Sequence, residues 1–145
     1  MAGAFRSMTV IVTNESNAYL DIHGQGEKHG IWVDAFPIPS HILQGSPNRP
    51  GVGAWRTESD GASTDAWASY TLNGRDNPTF LIMSWRSPVG GDPEADWEIK
   101  GPKAQDFAVT VICSAEGNAT CRFIVSNAQK KDVAQVVPQS DALTS

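Results

Sequence analysis

Apolar and polar residues alternate with a period of two in short runs along this chain, and helical periodicity is almost absent. That pattern belongs to strands, whose successive side chains point to opposite faces, and it restricts the chain to an all-β sandwich or barrel. Met8, Val10 and Val12 alternate with Thr9, Ile11 and Thr13 until the polar turn Asn14-Glu15-Ser16-Asn17, after which Tyr19 to Ile22 begins a second strand. Gly24, Gly26 and Gly30 interrupt it. Ile31-Trp32-Val33 forms a third, closed by Phe36-Pro37-Ile38-Pro39 because proline cannot donate to a ladder. A Gly- and Pro-rich loop from Gly45 to Gly53 precedes strands at Ala54–Glu58, Ala66–Asn73 and Thr79–Arg86. Trp97 and Ile99 carry the next alternation, and Phe107–Ser114 with Thr120–Asn127 makes a hairpin whose core residues are Val109, Val111, Phe123 and Val125. The reading is a single-domain antiparallel β-sandwich of about nine strands.

Length agrees with one domain, since 145 residues bury one core comfortably and two poorly. The 13 glycines and 9 prolines supply the turns that so many short strands require. Residues 1–127 are assigned to the sandwich, and 128–145, mostly polar, to a C-terminal tail or surface extension. Cys113 and Cys121 flank Gly117-Asn118, a turn signal, so they either face each other across the hairpin as a disulfide or stand as two half-buried thiols. The redox compartment decides between these.

Several classes of function are disfavoured. A net charge of −5 argues against affinity that rests on neutralising phosphates of nucleic acid or anionic lipid. No apolar run has the length of a spanning helix, and the N-terminus carries no secretory apolar stretch. A soluble chain is expected, cytoplasmic in its producer or released, with any action at a target membrane. His23, His29 and His41 lie near Asp21, Glu27 and Asp34, but their spacing fits no metal-ligand motif. No nucleophile elbow, zinc-protease helix or phosphate loop is present, so neither catalysis nor a cofactor is expected. The sequons at Asn14 and Asn118 fall in turns, where Asn and Ser already have a structural use.

The distinctive residues are five tryptophans, Trp32, Trp55, Trp67, Trp85 and Trp97. Trp is rarely buried completely, because its N–H needs a partner. Trp67 is out of phase with Ala66, Ala68, Tyr70 and Leu72, so it points away from the core if that series points in. Trp85 and Trp97 flank the Ser87–Pro93 loop, whereas Trp32 and Trp55 are assigned to the interior.

Together the segments Thr9-Val10-Ile11-Val12-Thr13-Asn14, His29-Gly30-Ile31-Trp32, Pro37-x-Pro-x-x-Ile42, Trp55-x-x-Glu58-Ser59-Asp60-Gly61-Ala62-Ser63-Thr64-Asp65, Ser69-Tyr70 and Ile82-Met83-Ser84-Trp85-x-Ser-Pro88 resemble the aegerolysin family, between about Thr9 and Asn127. Its bacterial members include insecticidal crystal-type proteins, and its architecture is similar to that of the actinoporins. The chain departs from the family pattern in its long Gly45–Gly53 loop, at Thr64-Asp65-Ala66 and in its tail. The resemblance implies a lipid-binding β-sandwich that targets a membrane and recruits a larger partner of the membrane-attack-complex/perforin type, the pore-forming half of a binary toxin. The hairpin of this chain is itself unsuited to a pore, since Ala108, Thr110 and Ile112 are nearly as apolar as Phe107, Val109 and Val111. A neutral or zwitterionic headgroup would meet a surface of Trp67, Tyr70, Trp85 and Trp97, with Arg86 and Lys100 placed for its phosphate. Two other readings use the same aromatics: a carbohydrate-binding lectin-like module that stacks sugars on exposed indoles, or a structural protein whose tryptophans are all core.

Overall fold

A computed structural model describes residues 7–29, 31–33, 37–58, 64–73, 78–87, 92–114 and 119–128. Ten strands run through them: β1 Ser7–Asn14, β2 Leu20–His29, β3 Ile31–Trp32, β4 His41–Ile42, β5 Gly51–Glu58, β6 Thr64–Leu72, β7 Thr79–Ser87, β8 Glu94–Lys100, β9 Phe107–Ser114 and β10 Ala119–Asn127. The one helical element described is a single 3-10 turn at Ala104–Asp106. Two five-stranded sheets face each other, in the orders β3-β5-β1-β10-β9 and β4-β2-β6-β7-β8. The β-sandwich expected from the alternation is therefore present. Of the proposed tail only Ala128 is among the described residues; its N–H donates to the Asp106 carbonyl and extends the β9–β10 ladder by one step.

Pairing is antiparallel with one exception. β1 lies parallel to β10, from Met8 opposite Ala119 to Asn14 opposite Val125. Parallel neighbours need a long crossover, and here the chain between β1 and β10 serves as that crossover, so the first and last described strands lie inside the first sheet.

The pleat decides what is buried. Met8, Val10 and Val12 of β1, Phe123 and Val125 of β10, Ala66, Ala68 and Tyr70 of β6, and Leu81, Met83 and Trp85 of β7 all project between the sheets and are all but inaccessible to solvent. Val109 and Val111 pack against this core half-buried. At its centre the rings of Trp55 and Trp85 lie 5.5 Å apart, with Tyr70 6.4 Å from Trp55 and Trp32 edge-on to Trp85 at 5.9 Å. Aromatic pairs at such spacings contribute about 0.5–1.5 kcal/mol beyond the area they bury. Two of the polar tips are anchored: Trp85 Nε1 donates to Thr57 Oγ1 at 3.2 Å, and the Tyr70 hydroxyl donates to the Pro39 carbonyl at 2.7 Å, whereas the buried Trp55 Nε1 has no partner among the described residues.

Three local details differ from the sequence reading. β2 continues through Gly24 and Gly26 to His29, so those glycines lie within a strand. β5 begins at Gly51, inside the expected Gly45–Gly53 loop, because Gly51 comes so close to the Leu43 carbonyl that no side chain fits there. Asn14 is fully buried, its Nδ2 donating to the carbonyls of Ala18 and Leu43 at 2.7 and 3.0 Å and its Oδ1 accepting from Ser16. That Asn holds the β1–β2 corner and is closed to modification in the folded chain; Asn118 lies outside the described residues.

Candidate functional site

On β6 the residues that alternate with the buried series are Asp65, Trp67, Ser69 and Thr71, which places them on the outward face of the second sheet. Trp67 lies between Gly26 of β2 and Ser84 of β7. Its indole is laid across the two glycines. A Cβ added to Gly26 would fall 2.7 Å from Trp67 Nε1, and one added to Gly24 would fall 3.3 Å from the far edge of the ring. With no side chains beneath it the ring lies close to the backbone of β2, yet it remains 37% exposed. A flat, rigid aromatic platform results, open to solvent on the outer side.

Beside the platform is a shallow depression of about 160 Å³, lined by Asp65, Ser84, Arg86, Glu94 and Asp96 among others. Strand register assembles it: Ser84 pairs with Trp67 on one side and with Asp96 on the other, and Arg86 sits between Asp65 and Glu94. Arg86 Nε is 3.2 Å from Glu94 Oε1, with both side chains more than half exposed, a pair too well solvated to be held rigidly. The depression thus presents carboxylates and one guanidinium within reach of an exposed indole. Among the described residues no three His, Cys, Asp or Glu side chains gather as a metal site. His23 packs its ring at a tilt against Phe80, 4.8 Å between centroids, and His41 bonds through Nδ1 to Asp21.

The six residues expected to form one contact surface are divided by the fold. Trp67 and Arg86 share the outward face and flank the depression. Lys100 lies on that face too, but at the opposite end of the β7–β8 pair, opposite Phe80 and 3.7 Å from Glu98. Trp97 pairs with Met83, so it is on the inward side of the edge strand β8, where 40% of it stays exposed. Tyr70 and Trp85 require correction: both are interior, at 0% and 1% exposure, and cannot reach a ligand. Tyr70 belongs to the same inward series as Ala66 and Ala68, and Trp85 shares the phase of Leu81 and Met83. Position next to a loop suggested exposure for Trp85; the pleat overrides it. Burial also pushes the Tyr70 phenol well above its ordinary pKa.

Gly24, Gly26, Asp65, Ser84 and Asp96 are not among the site residues that the sequence suggests, where Gly24 and Gly26 read only as interruptions of a strand. The Gly-x-Gly spacing was the available signal, since two glycines a pleat apart leave one face of a strand bare for a neighbour's ring.

No family model matches this chain, and neither does any curated protein sequence. Among solved structures, that of the lipid-binding protein Nakanori is similar, with a TM-score of 0.64 and 14% identity, over 83% of this chain and 71% of Nakanori. At that identity the likeness concerns the fold: this chain has the β-sandwich architecture of a protein that binds lipid.

Proposed function

We propose that the chain is a peripheral membrane-lipid-binding protein that takes a neutral or zwitterionic headgroup on the Trp67 platform. The observation that carries this reading is the indole lying flat over Gly24 and Gly26 beside a depression holding both charge signs. A headgroup cation would sit over the ring, drawn by its quadrupole and by Asp65 and Asp96. The phosphate would accept hydrogen bonds from Arg86, which leaves its solvated Glu94 partner. The motif resemblance and the sandwich shared with a lipid-binding protein point the same way. No described helix is long and apolar enough to cross a bilayer, which accords with docking from outside. Recruitment of a larger perforin-type partner, as in a binary pore-forming toxin, is the part of the proposal that rests on the motif resemblance.

The test is co-sedimentation with vesicles of phosphatidylcholine, with and without sphingomyelin, beside a panel of free glycans. Binding to vesicles that Trp67→Ala abolishes, with the melting temperature nearly unchanged, is the expected result. Binding to free glycans without vesicles would transfer the platform to a lectin-like role, and vesicle binding unaffected by Trp67→Ala would remove this face from the function.

A further inference from the structure

A sheet edge exposes unpaired N–H and C=O groups, and proteins protect such edges with short strands, charge, proline or bulges. Three of the four edges here are protected. β3 and β4 are two residues long, and beyond β4 the pairing of β2 with β6 is broken by two register shifts. β8 carries Glu94, Asp96, Glu98 and Lys100 and ends at Gly101-Pro102. Among the described residues the fourth edge, β9, has no such protection. Its eight residues, Phe-Ala-Val-Thr-Val-Ile-Cys-Ser, include no charge, proline or glycine, and its pairing with β10 runs without a register shift. Ile112 on it is 56% exposed.

The hydrogen-bond phase of this edge follows from the disulfide that joins Cys113 to Cys121. Their Cα atoms are 4.1 Å apart, the short spacing of a non-hydrogen-bonded pair in an antiparallel ladder. Phe107, Val109 and Val111 share that phase, so the backbone N–H and C=O groups of these four residues point away from β10, toward the open side. None has a further strand partner among the described residues.

We infer that β9 is an association edge whose occupant is β9 of a second copy, paired antiparallel about a two-fold axis at Thr110. That register joins all four outward-pointing residues: Phe107 meets Cys113 and Val109 meets Val111, each twice, for about eight hydrogen bonds. On the outward face Thr110 meets Thr110 and Ala108 meets Ile112, which covers the exposed isoleucine. No charge faces a charge anywhere along the seam. The acidic β8 keeps the second sheets from joining in the same way. Because the pairing is two-fold, it consumes the edge and closes at two copies.

The experiment uses the full chain without lipid. Sedimentation velocity over a concentration series should show a monomer–dimer equilibrium, and Thr110→Lys, at an exposed position, should abolish the dimer without lowering the melting temperature. Thr110→Cys places two thiols at the short non-hydrogen-bonded spacing across the axis and should yield a disulfide-linked dimer on oxidation, whereas Ala108→Cys, which faces Ile112, should not. Amide exchange at Val109 and Val111 should slow as concentration rises. A chain monomeric at every concentration, a dimer indifferent to Thr110→Lys, or equal cross-linking of both cysteine variants would overturn the pairing. So would exchange that is slow at all concentrations, which would mean that the edge is covered by the chain's own residues.

Discussion

Trp67 and Trp85 have the same side chain and opposite consequences, because one lies on the outward face and the other on the inward face of neighbouring strands. Truncating Trp85 to alanine empties the centre of the aromatic cluster and removes one of the two donors to Thr57 Oγ1, leaving only the Thr64 hydroxyl, a loss of about 3–5 kcal/mol. Calorimetry should find the melting temperature of Trp85→Ala lower by about 10 °C or more. Trp67→Ala removes a ring that rests on backbone and should stay within about 1 kcal/mol of the parent. Tyr70 adds a pH dependence. Its phenol stays neutral in the fold under conditions where the unfolded phenol, near its ordinary 10.0, has lost its proton. This contribution is therefore intact below about pH 10 and declines as pH rises beyond it. Tyr70→Phe should flatten that alkaline decline while costing about 1 kcal/mol at neutral pH for the lost bond to Pro39, both measurable by urea unfolding across pH.

At the scale of elements, the disulfide closes the β9–β10 hairpin over a sequence separation of 8. Loop-closure entropy for so short a span predicts that reduction lowers stability by about 2.5 kcal/mol, to be read from unfolding with and without reductant. Gly26→Val is a finer probe, since its side chain would collide with Trp67 Nε1 and displace the ring while leaving β2 paired. Vesicle binding should fall with secondary structure unchanged by circular dichroism. Most of these strands were legible in the sequence because period-two alternation and turn chemistry are local signals. The β9–β10 hairpin and the outward phase of Trp67 came directly from them. The parallel β1–β10 pairing and the extension of β2 through its glycines were not legible, since both depend on strands far apart in the chain. The site was only half legible for the same reason. Alternation within β6 turns Trp67 outward, but only the register with β2, β7 and β8 shows that Gly26, Ser84, Arg86 and Asp96 surround it, and only the inward phase of β7 removes Trp85.

For the molecule as a whole, charge is divided between the two outer faces. The second sheet turns Asp21, Asp65, Glu94, Asp96 and Glu98 outward against Arg86 and Lys100. The first turns out mainly Thr, Ile and Ala with Arg56 and Arg122, and among its described residues the outward carboxylate is Glu58 at the end of β5. Phosphatidylserine added to the vesicles should therefore weaken binding through the second sheet, and salt should restore it, since the Debye length is only about 10 Å at 0.1 M. A two-fold axis normal to a sheet exchanges the copies without turning either over. In the β9 pairing inferred above, both indoles would then meet one plane, and the second contact would form at the effective concentration set by the first. Such avidity multiplies a weak single-site affinity by about 10²–10⁴. Thr110→Lys should accordingly release the protein from vesicles at concentrations where the parent stays bound, although the substitution lies on the other sheet from the ring that makes the contact.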